Sequence, residues 1–184
     1  MLMELSLWEG QALVLIQEFV RWALLDPLVC LYTKLGDEGM LWIVLCAVLL
    51  IFPKTRRAGL AGAAALLCSL LFTNILIKPF VDRTRPWLIF EELVPLVVEN
   101  DPHSFPSGHT SAAFAAAVAW AHFLPKKWMK VTGVVMAVLM GLSRLYVGVH
   151  FPSDVLCGMV VGICCGVIGA YVVRRVLWRL GKLA

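Results

Sequence analysis

FPSGHTSAAFAAAVAWAHFL, residues 105–124, is the stretch on which the reading of this chain turns. Its head sets Ser107 between Pro106 and Gly108 and follows them with His109. Its body, Ser111 to Leu124, is alanine-rich, carries no Lys, Arg, Asp or Glu, and reads as a membrane helix. A helix that starts at Pro106 or Ser107 aims its unpaired N–H groups, and the positive end of its dipole, at whatever lies above it. That is a setting for an anion. Ser107 adds a hydroxyl, Gly108 lets the backbone come close, and His109 can carry a proton. The same four residues also make an ordinary helix cap, so the rest of the chain has to decide.

The composition places that helix in a membrane. Hydrophobic residues make up 61% of the 184 and the mean hydropathy is +0.87, far above a soluble average. The charges fall in short clusters between apolar runs, the pattern of a polytopic membrane protein of one domain. The net charge is +4, but its basic residues sit beside the spans, which marks a cytoplasmic side and not a nucleic-acid partner. Cys46, Cys68, Cys157, Cys164 and Cys165 fall in apolar runs, with Cys30 less plainly so, and no Cys-x-x-Cys pair occurs. Neither a disulfide framework nor a zinc site is expected. The N-terminus lacks the basic start and small-residue cleavage site of a signal peptide.

Outward from residues 105–124, the chain divides at residue 35. Residues 1–35 form a separate N-terminal segment: Leu7 to Leu25 is apolar but carries Glu9, Gln11, Gln17, Glu18 and Arg21, and Asp26-Pro27 breaks it. It reads either as an interfacial amphipathic helix with Trp8 and Trp22 at headgroup depth followed by a short second helix, or as one long, kinked first span. Residues 36–184 form the membrane-embedded domain. Apolar runs cover Met40–Phe52, Ala58–Ile77, Ser107–Leu124, Val131–Val147 and Asp154 to about Val173. The expected fold is therefore an all-α bundle of five transmembrane helices, or six if the first segment crosses. Residues 53–57, 125–130 and the tail Arg174, Arg175, Arg179 and Lys182 are basic, which assigns them to the cytoplasm and turns 36–39, 80–105 and 148–153 outward, to the periplasm or cell exterior. Gly158, Gly162 and Gly166 recur every fourth residue, for close packing inside the bundle or for a homodimer seam; the chain is expected to be a monomer or a homodimer.

Three polar clusters share the outward side: residues 78–86, 106–109 and 143–154. Charges this close to hydrocarbon are costly and usually have a reason. Lys78, Arg85 and Arg144 supply cations that match phosphate oxygens and stabilise a transferring phosphoryl group. One of His109 and His150 can attack phosphorus and the other can protonate the leaving oxygen. His150 and Asp154 are four apart and can touch if that turn is helical. Taken singly, each has a plainer reading: Lys78 and Arg85 as snorkelling anchors, His150 and Asp154 as a cap and ion pair. Carboxylates for magnesium or calcium are scarce beside three cations, so no metal is expected.

The clusters also resemble the motifs of the type 2 phosphatidic acid phosphatase superfamily: Lys, six residues, Arg-Pro (Lys78 to Arg85-Pro86); Pro-Ser-Gly-His (106–109); and Ser-Arg, five residues, His, three residues, Asp (Ser143-Arg144, His150, Asp154). The resemblance covers about residues 38–175. It implies a helical bundle, with six spans in typical bacterial members, and a lipid phosphatase that uses neither metal nor cofactor. It implies His150 as the nucleophile that forms a phosphohistidine, Asp154 as its orienting carboxylate and His109 as the general acid. Lys78, Arg85, Arg144, Ser107 and the Gly108 backbone would hold the phosphoryl group. The substrate would be a lipid phosphate, with undecaprenyl diphosphate ranked first. Phosphatidylglycerophosphate, phosphatidate, or phosphotransfer to another acceptor are the alternatives. His103 and His122 match no motif and read as loop and interfacial residues. Asp82 and Arg83, inside the first motif, read as a mutual pair or as part of the site mouth.

Overall fold

The protein is described here by a computed structural model covering residues 2–181; Lys182 of the basic tail lies outside the described residues. The fold is an all-α membrane bundle. Helix α1 (Leu2–Leu15) runs on through a π-bonded turn at Ile16–Val20 and breaks at Arg21, whose backbone is extended. Helix α2 (Asp26–Leu35) takes Pro27 in its first turn, where no N–H is needed. A 3₁₀ turn at Asp37–Gly39 leads into α3 (Met40–Ile51). Helix α4 (Arg56–Ser69) continues through a π-bonded segment, Leu70–Ile77, into the short α5 (Lys78–Val81). The irregular segment after it contains one 3₁₀ turn, Pro86–Leu88. Then come α6 (Gly108–Ala121), α7 (Lys127–Tyr146) and α8 (Pro152–Arg179).

Three of these rods are long and apolar enough to cross a membrane by themselves: Arg56–Val81, Lys127–Tyr146 and Pro152–Arg179. Each overruns the apolar run that announces it, because hydropathy marks only the part in hydrocarbon while the charged first or last turn stays helical. The rod through α4 also passes the expected stop at Lys78-Pro79. Pro79 sits in the first turn of α5 after the π-bonded segment, a place that tolerates a missing N–H. The chain turns only at Asp82, which adopts the left-handed region at φ 46°. Helices α3 and α6, of 12 and 14 residues, rise about 18 and 21 Å, less than the ~30 Å hydrocarbon core.

Short as it is, α6 is the axis. It packs against α4, α7 and α8, and its alanines Ala113, Ala115, Ala116, Ala117 and Ala119 are buried. Small residues allow this closeness, which matters in lipid, where packing drives association and water does not. The glycine ladder of α8 faces α6 within the same chain. A methyl at Gly158 would meet the Ser107 carbonyl at 2.6 Å, at Gly162 the Ser111 carbonyl at 2.5 Å, and at Gly166 the Val118 Cβ at 2.7 Å. Those glycines serve the bundle interior. Trp42 of α3 and Trp120 of α6, with ring centres 6.0 Å apart, fill the space beneath. All six cysteines are free thiols.

Candidate active site

Every second rod ends at the same end of the bundle, and the three clusters meet there. Lys78 stands at the end of the α4 rod, His109 in the first turn of α6, Arg144 in the last turn of α7, and His150 in the turn that leads into α8. That turn reverses through Gly148, at φ 77°, a conformation that glycine adopts without strain. Lys78, Arg85, Gly108, His109 and His150 line one cavity of ≈ 750 Å³.

His150 is buried. Its Nε2 lies 3.2 Å from Arg85 Nη1. Arginine only donates, so Nε2 carries the lone pair and the ring proton is on Nδ1. Nδ1 faces Asp154 Oδ2 at 3.6 Å, within ion-pair reach but too long for a hydrogen bond, and has no hydrogen-bond partner of its own. Asp154 is fully buried and held by three donors: the Phe151 N–H at 2.8 Å, Arg83 Nη1 at 2.6 Å and the Ser104 hydroxyl. Burial first, and then the Arg85 and Arg144 guanidiniums, push the His150 imidazole well below its ordinary 6.5. The ring is therefore neutral, with its free nitrogen beside a guanidinium that can neutralise an arriving phosphoryl oxygen.

The cations already hold carboxylates. Glu99 bridges Arg144 Nη2, in a short contact, and Arg85 Nη2 at 3.5 Å. Lys78 is paired with Asp101, whose main-chain carbonyl also accepts from Arg85 Nε at 2.8 Å. The fully buried Arg144 also donates to Thr33 Oγ1 at 2.5 Å. Burial alone would raise the Glu99 carboxyl, but Arg144 and Arg85 reverse the effect and hold it below the usual range. Asp101 follows the same pattern, with burial opposed by Lys78 and by the His103 N–H. The Nε2 of His109 lies 2.9 Å from Asp37 Oδ1, and that bond holds the Asp37 carboxyl low.

Three expected residues stand apart from the cavity wall: Ser107, Asp154 and the fully buried Arg144, which meets the lining residue Glu99. Ser107 is fully buried and caps α6: its Oγ accepts from Thr110 Oγ1 at 2.9 Å and from the Thr110 N–H at 3.4 Å. Asp154 lies behind His150, on the Nδ1 side of the ring. Gly108, by contrast, does line the cavity, and an added methyl would press on Asn74 Oδ1 at 3.1 Å. Asp82 and Arg83 do not pair with each other. Asp82 meets His103 Nδ1 at 2.7 Å, while Arg83 turns inward to Asp154, Ser153 and Ser6, meets Glu9 at 2.7 Å and stacks 4.0 Å over the Phe151 ring. Glu9 in turn accepts from the Ser153 N–H at 2.6 Å. Glu9, Asp37, Glu99 and Asp101 thus belong to this cluster and were missed by sequence reasoning; only the place of Asp37, Glu99 and Asp101 in the outward segments hinted at them, and nothing pointed to Glu9. Among the described residues, Asp37, Glu99 and His109 also bring potential metal-ligand atoms within 4.8 Å of one another. Arg144 on Glu99 and the direct His109–Asp37 bond satisfy that group internally.

Comparison with known proteins fits this geometry. An undecaprenyl-diphosphatase of Sulfolobus acidocaldarius is 34% identical over 140 residues, 76% of this chain and 66% of that protein. A phosphatidylglycerophosphatase B of Bacillus subtilis is 38% identical over 99 residues, 49% of this chain and 46% of that one. The chain thus matches less than two thirds of the length of these relatives. The crystal structure of Aquifex aeolicus LpxE superposes with a TM-score of 0.75 at 31% identity, covering 88% of this chain and 93% of that chain. A transmembrane PAP2 type phosphatidylglycerolphosphate phosphatase from Bacillus subtilis gives 0.73 at 29% identity, over 95% and 87%. The pattern of the PAP2 superfamily matches residues 58–178, which holds all three clusters and the helices that carry them, and the chain belongs to that superfamily.

Proposed function

We propose that this protein is a lipid phosphatase that hydrolyses a phosphomonoester or diphosphate of a membrane lipid through a phosphohistidine on His150. One observation carries the reading. The cavity that holds Lys78, Arg85, His109 and His150 continues between α3 and α4 along Ile43, Ala47, Leu50, Leu66, Leu67 and Leu70. A charged head and an apolar flank in one space suit a substrate with a phosphate at one end and a hydrocarbon chain at the other.

The chemistry follows from the atoms. His150 Nε2 attacks the terminal phosphorus as its bond to the leaving oxygen breaks (the lipid oxygen of a monoester, the bridging oxygen of a diphosphate), and Asp154 steadies the positive ring. Protonated His109, held by Asp37, gives its proton to the leaving oxygen. Lys78, Arg85 and Arg144 stabilise the charge on the phosphoryl oxygens once these displace Glu99 and Asp101. His109, now neutral, takes a proton from water, whose oxygen displaces the imidazole and releases inorganic phosphate. Ser107 holds the start of α6, and with it Gly108 and His109, in place.

Undecaprenyl diphosphate is the preferred substrate, supported by the named activity of the Sulfolobus relative. Phosphatidylglycerophosphate is the second reading, favoured by the Bacillus relative and its solved counterpart. The protein is proposed to cross the cell membrane five times with the site outward, since residues 53–57, 125–130 and 174–179 gather the positive charge at the other end. Helices α1 and α2 are proposed to lie at the outer interface, where Glu9 backs the site and Trp8 is exposed. The deciding assay is phosphate release in detergent with a chelator present, with His150→Ala as blank. Release by the wild type alone, greatest from undecaprenyl diphosphate, is expected; equal release by the blank would remove His150 as nucleophile. Labelling of Val98→Cys in intact cells tests orientation, since Val98 is 91% exposed; labelling only after permeabilisation would reverse it.

A further inference from the structure

The rod that begins as α4 presents one graded stripe to the site cavity: Leu66, Leu67 and Leu70, then Asn74, then Lys78. The order runs from apolar through neutral polar to cationic, and Asn74 has no part in the chemistry proposed above. Residues 70, 74 and 78 are four apart, and in an α-helix such a series drifts by about 40° per step. The π-bonded segment Leu70–Ile77 has a wider turn, which counters the drift and keeps all three on the cavity. The neighbouring Thr73 is buried and bonded to Ser111 Oγ at 2.8 Å. That bond pins the segment to α6 and so fixes the side on which Asn74 emerges.

Gly108 shows what the amide is set beside. Asn74 Oδ1 lies 3.1 Å from the point that a Cβ on Gly108 would occupy. The amide therefore stands against the first residue of α6, where a helix start offers N–H groups and partial positive charge. Among the described residues the Asn74 side chain makes no hydrogen bond, although an amide carries two N–H donors and an acceptor. A polar group inside a membrane rod usually serves a site. Asn74 lies one helical turn, about 6 Å, from Lys78 on the side of Leu70. A lipid whose terminal phosphorus sits among Lys78, Arg85 and His150 brings the next group of its head to that depth, before its chain reaches Leu70. In a diphosphate that group is the phosphate that stays on the lipid, and its oxygens accept from an amide N–H.

We propose that Asn74 is a specificity-determining residue whose amide N–H donates to the phosphate that stays on the lipid, so that the site favours a diphosphate over a monophosphate with the same chain. This rests on the lipid-phosphatase reading above and deepens it. A neutral donor fits the place: a cation there would hold the monophosphate product after transfer, and a carboxylate would repel the substrate.

The test uses the full-length protein in detergent and two pairs of probes with one chain. Farnesyl diphosphate and farnesyl phosphate are compared for turnover. Methylene-bridged farnesyl bisphosphonate and farnesyl phosphonate, which resist hydrolysis, are compared for binding by calorimetry. In Asn74→Ala the preference in kcat/KM for diphosphate over monophosphate should fall about 10- to 100-fold, the range for one hydrogen bond to a charged group. The preference in Kd for bisphosphonate over phosphonate should fall by a similar factor. Asn74→Asp, of the same size, replaces the donor with a negative charge and should lower both preferences about tenfold further. Asn74 is exposed, so both variants should unfold within about 2 °C of wild type. Equal loss on both members of each pair would make Asn74 a structural residue and overturn the proposal, as would unchanged preferences. If wild type releases phosphate from neither substrate while bisphosphonate binding still depends on Asn74, the phosphatase reading fails and this assignment stands. Normal release with bisphosphonate binding indifferent to Asn74 overturns the assignment alone.

Discussion

Gly162→Ala tests whether the closeness of α6 and α8 sets the catalytic geometry. The added methyl would sit 2.5 Å from the Ser111 carbonyl oxygen and 2.8 Å from Phe114 Cβ. A relaxed carbon–oxygen contact is about 3.3 Å, so the helices must part by roughly 0.8 Å. Neither obstacle is the free end of a flexible side chain. Ser111 is further tied to α4 through hydrogen bonds of 2.7 Å to Ser69 and 2.8 Å to Thr73. Overpacking of this kind costs about 1–3 kcal/mol, or roughly 2–12 °C in unfolding temperature for a chain of this size. His109 stands two residues before Ser111 on α6, and α8 begins two residues after His150. A shift of that size between their helices costs kcat about 10- to 100-fold. Gly133→Ala is the control: its methyl would find only ordinary contacts, the nearest Trp120 Cε3 at 3.5 Å, and helix propensity favours alanine by up to about 1 kcal/mol. Thermal unfolding in detergent and phosphate release are measured on both. If Gly162→Ala is as stable and as active as Gly133→Ala, the contact between α6 and α8 does not hold the site.

Three other perturbations reach the site from different sides. Glu99→Gln removes the carboxylate that bridges Arg85 and Arg144, so inorganic phosphate should inhibit about 5- to 30-fold more tightly, the yield of roughly 1–2 kcal/mol for one charge at contact in a partly screened site; unchanged or weaker inhibition would show that Glu99 does not occupy the phosphate's place. Arg83→Gln leaves Asp154 only the Ser104 and Phe151 donors and leaves Glu9 without its cation, which should cost stability by about 3 kcal/mol, the low end for breaking a buried pair, and lower kcat more than it changes KM; a KM effect alone would place Arg83 on the substrate. His150 is neutral down to well below 6.5, so the acidic limb of kcat/KM owed to this group should lie below 6.5, with activity lost as pH falls through it. By linkage, stability is full above 6.5 and declines as pH falls from there toward the folded value, because only the unfolded chain takes up the proton in that window; a limb above 6.5 that is unmoved by Arg85→Gln would contradict the burial of the ring.

The helices and the three clusters were legible in the chain because their signals are local. Hydropathy marks Ala58–Ile77 and Val131–Val147 from their own residues, and the spacing of His150 and Asp154 is one turn of helix. The ends were less legible: Arg56, Arg57 and Lys127 are helical although charged, since a first turn outside hydrocarbon has no hydropathy to show. Arg83 could not be placed, because its partners Glu9 and Asp154 are 74 and 71 residues away, and nothing local separates a guanidinium turned inward from one turned to water. The same holds for Glu99, whose segment has no periodicity.

Legible in the chain alone are a membrane bundle and three polar clusters expected to meet at one end of it, because burial in lipid and motif spacing are properties of short stretches. It takes the packed bundle to show which nitrogen of His150 is free, that the Ser107 hydroxyl caps a helix, and that Glu99 sits between the arginines. Those outcomes depend on distances between residues far apart in the chain, and such distances exist only once α4, α6, α7 and α8 have packed.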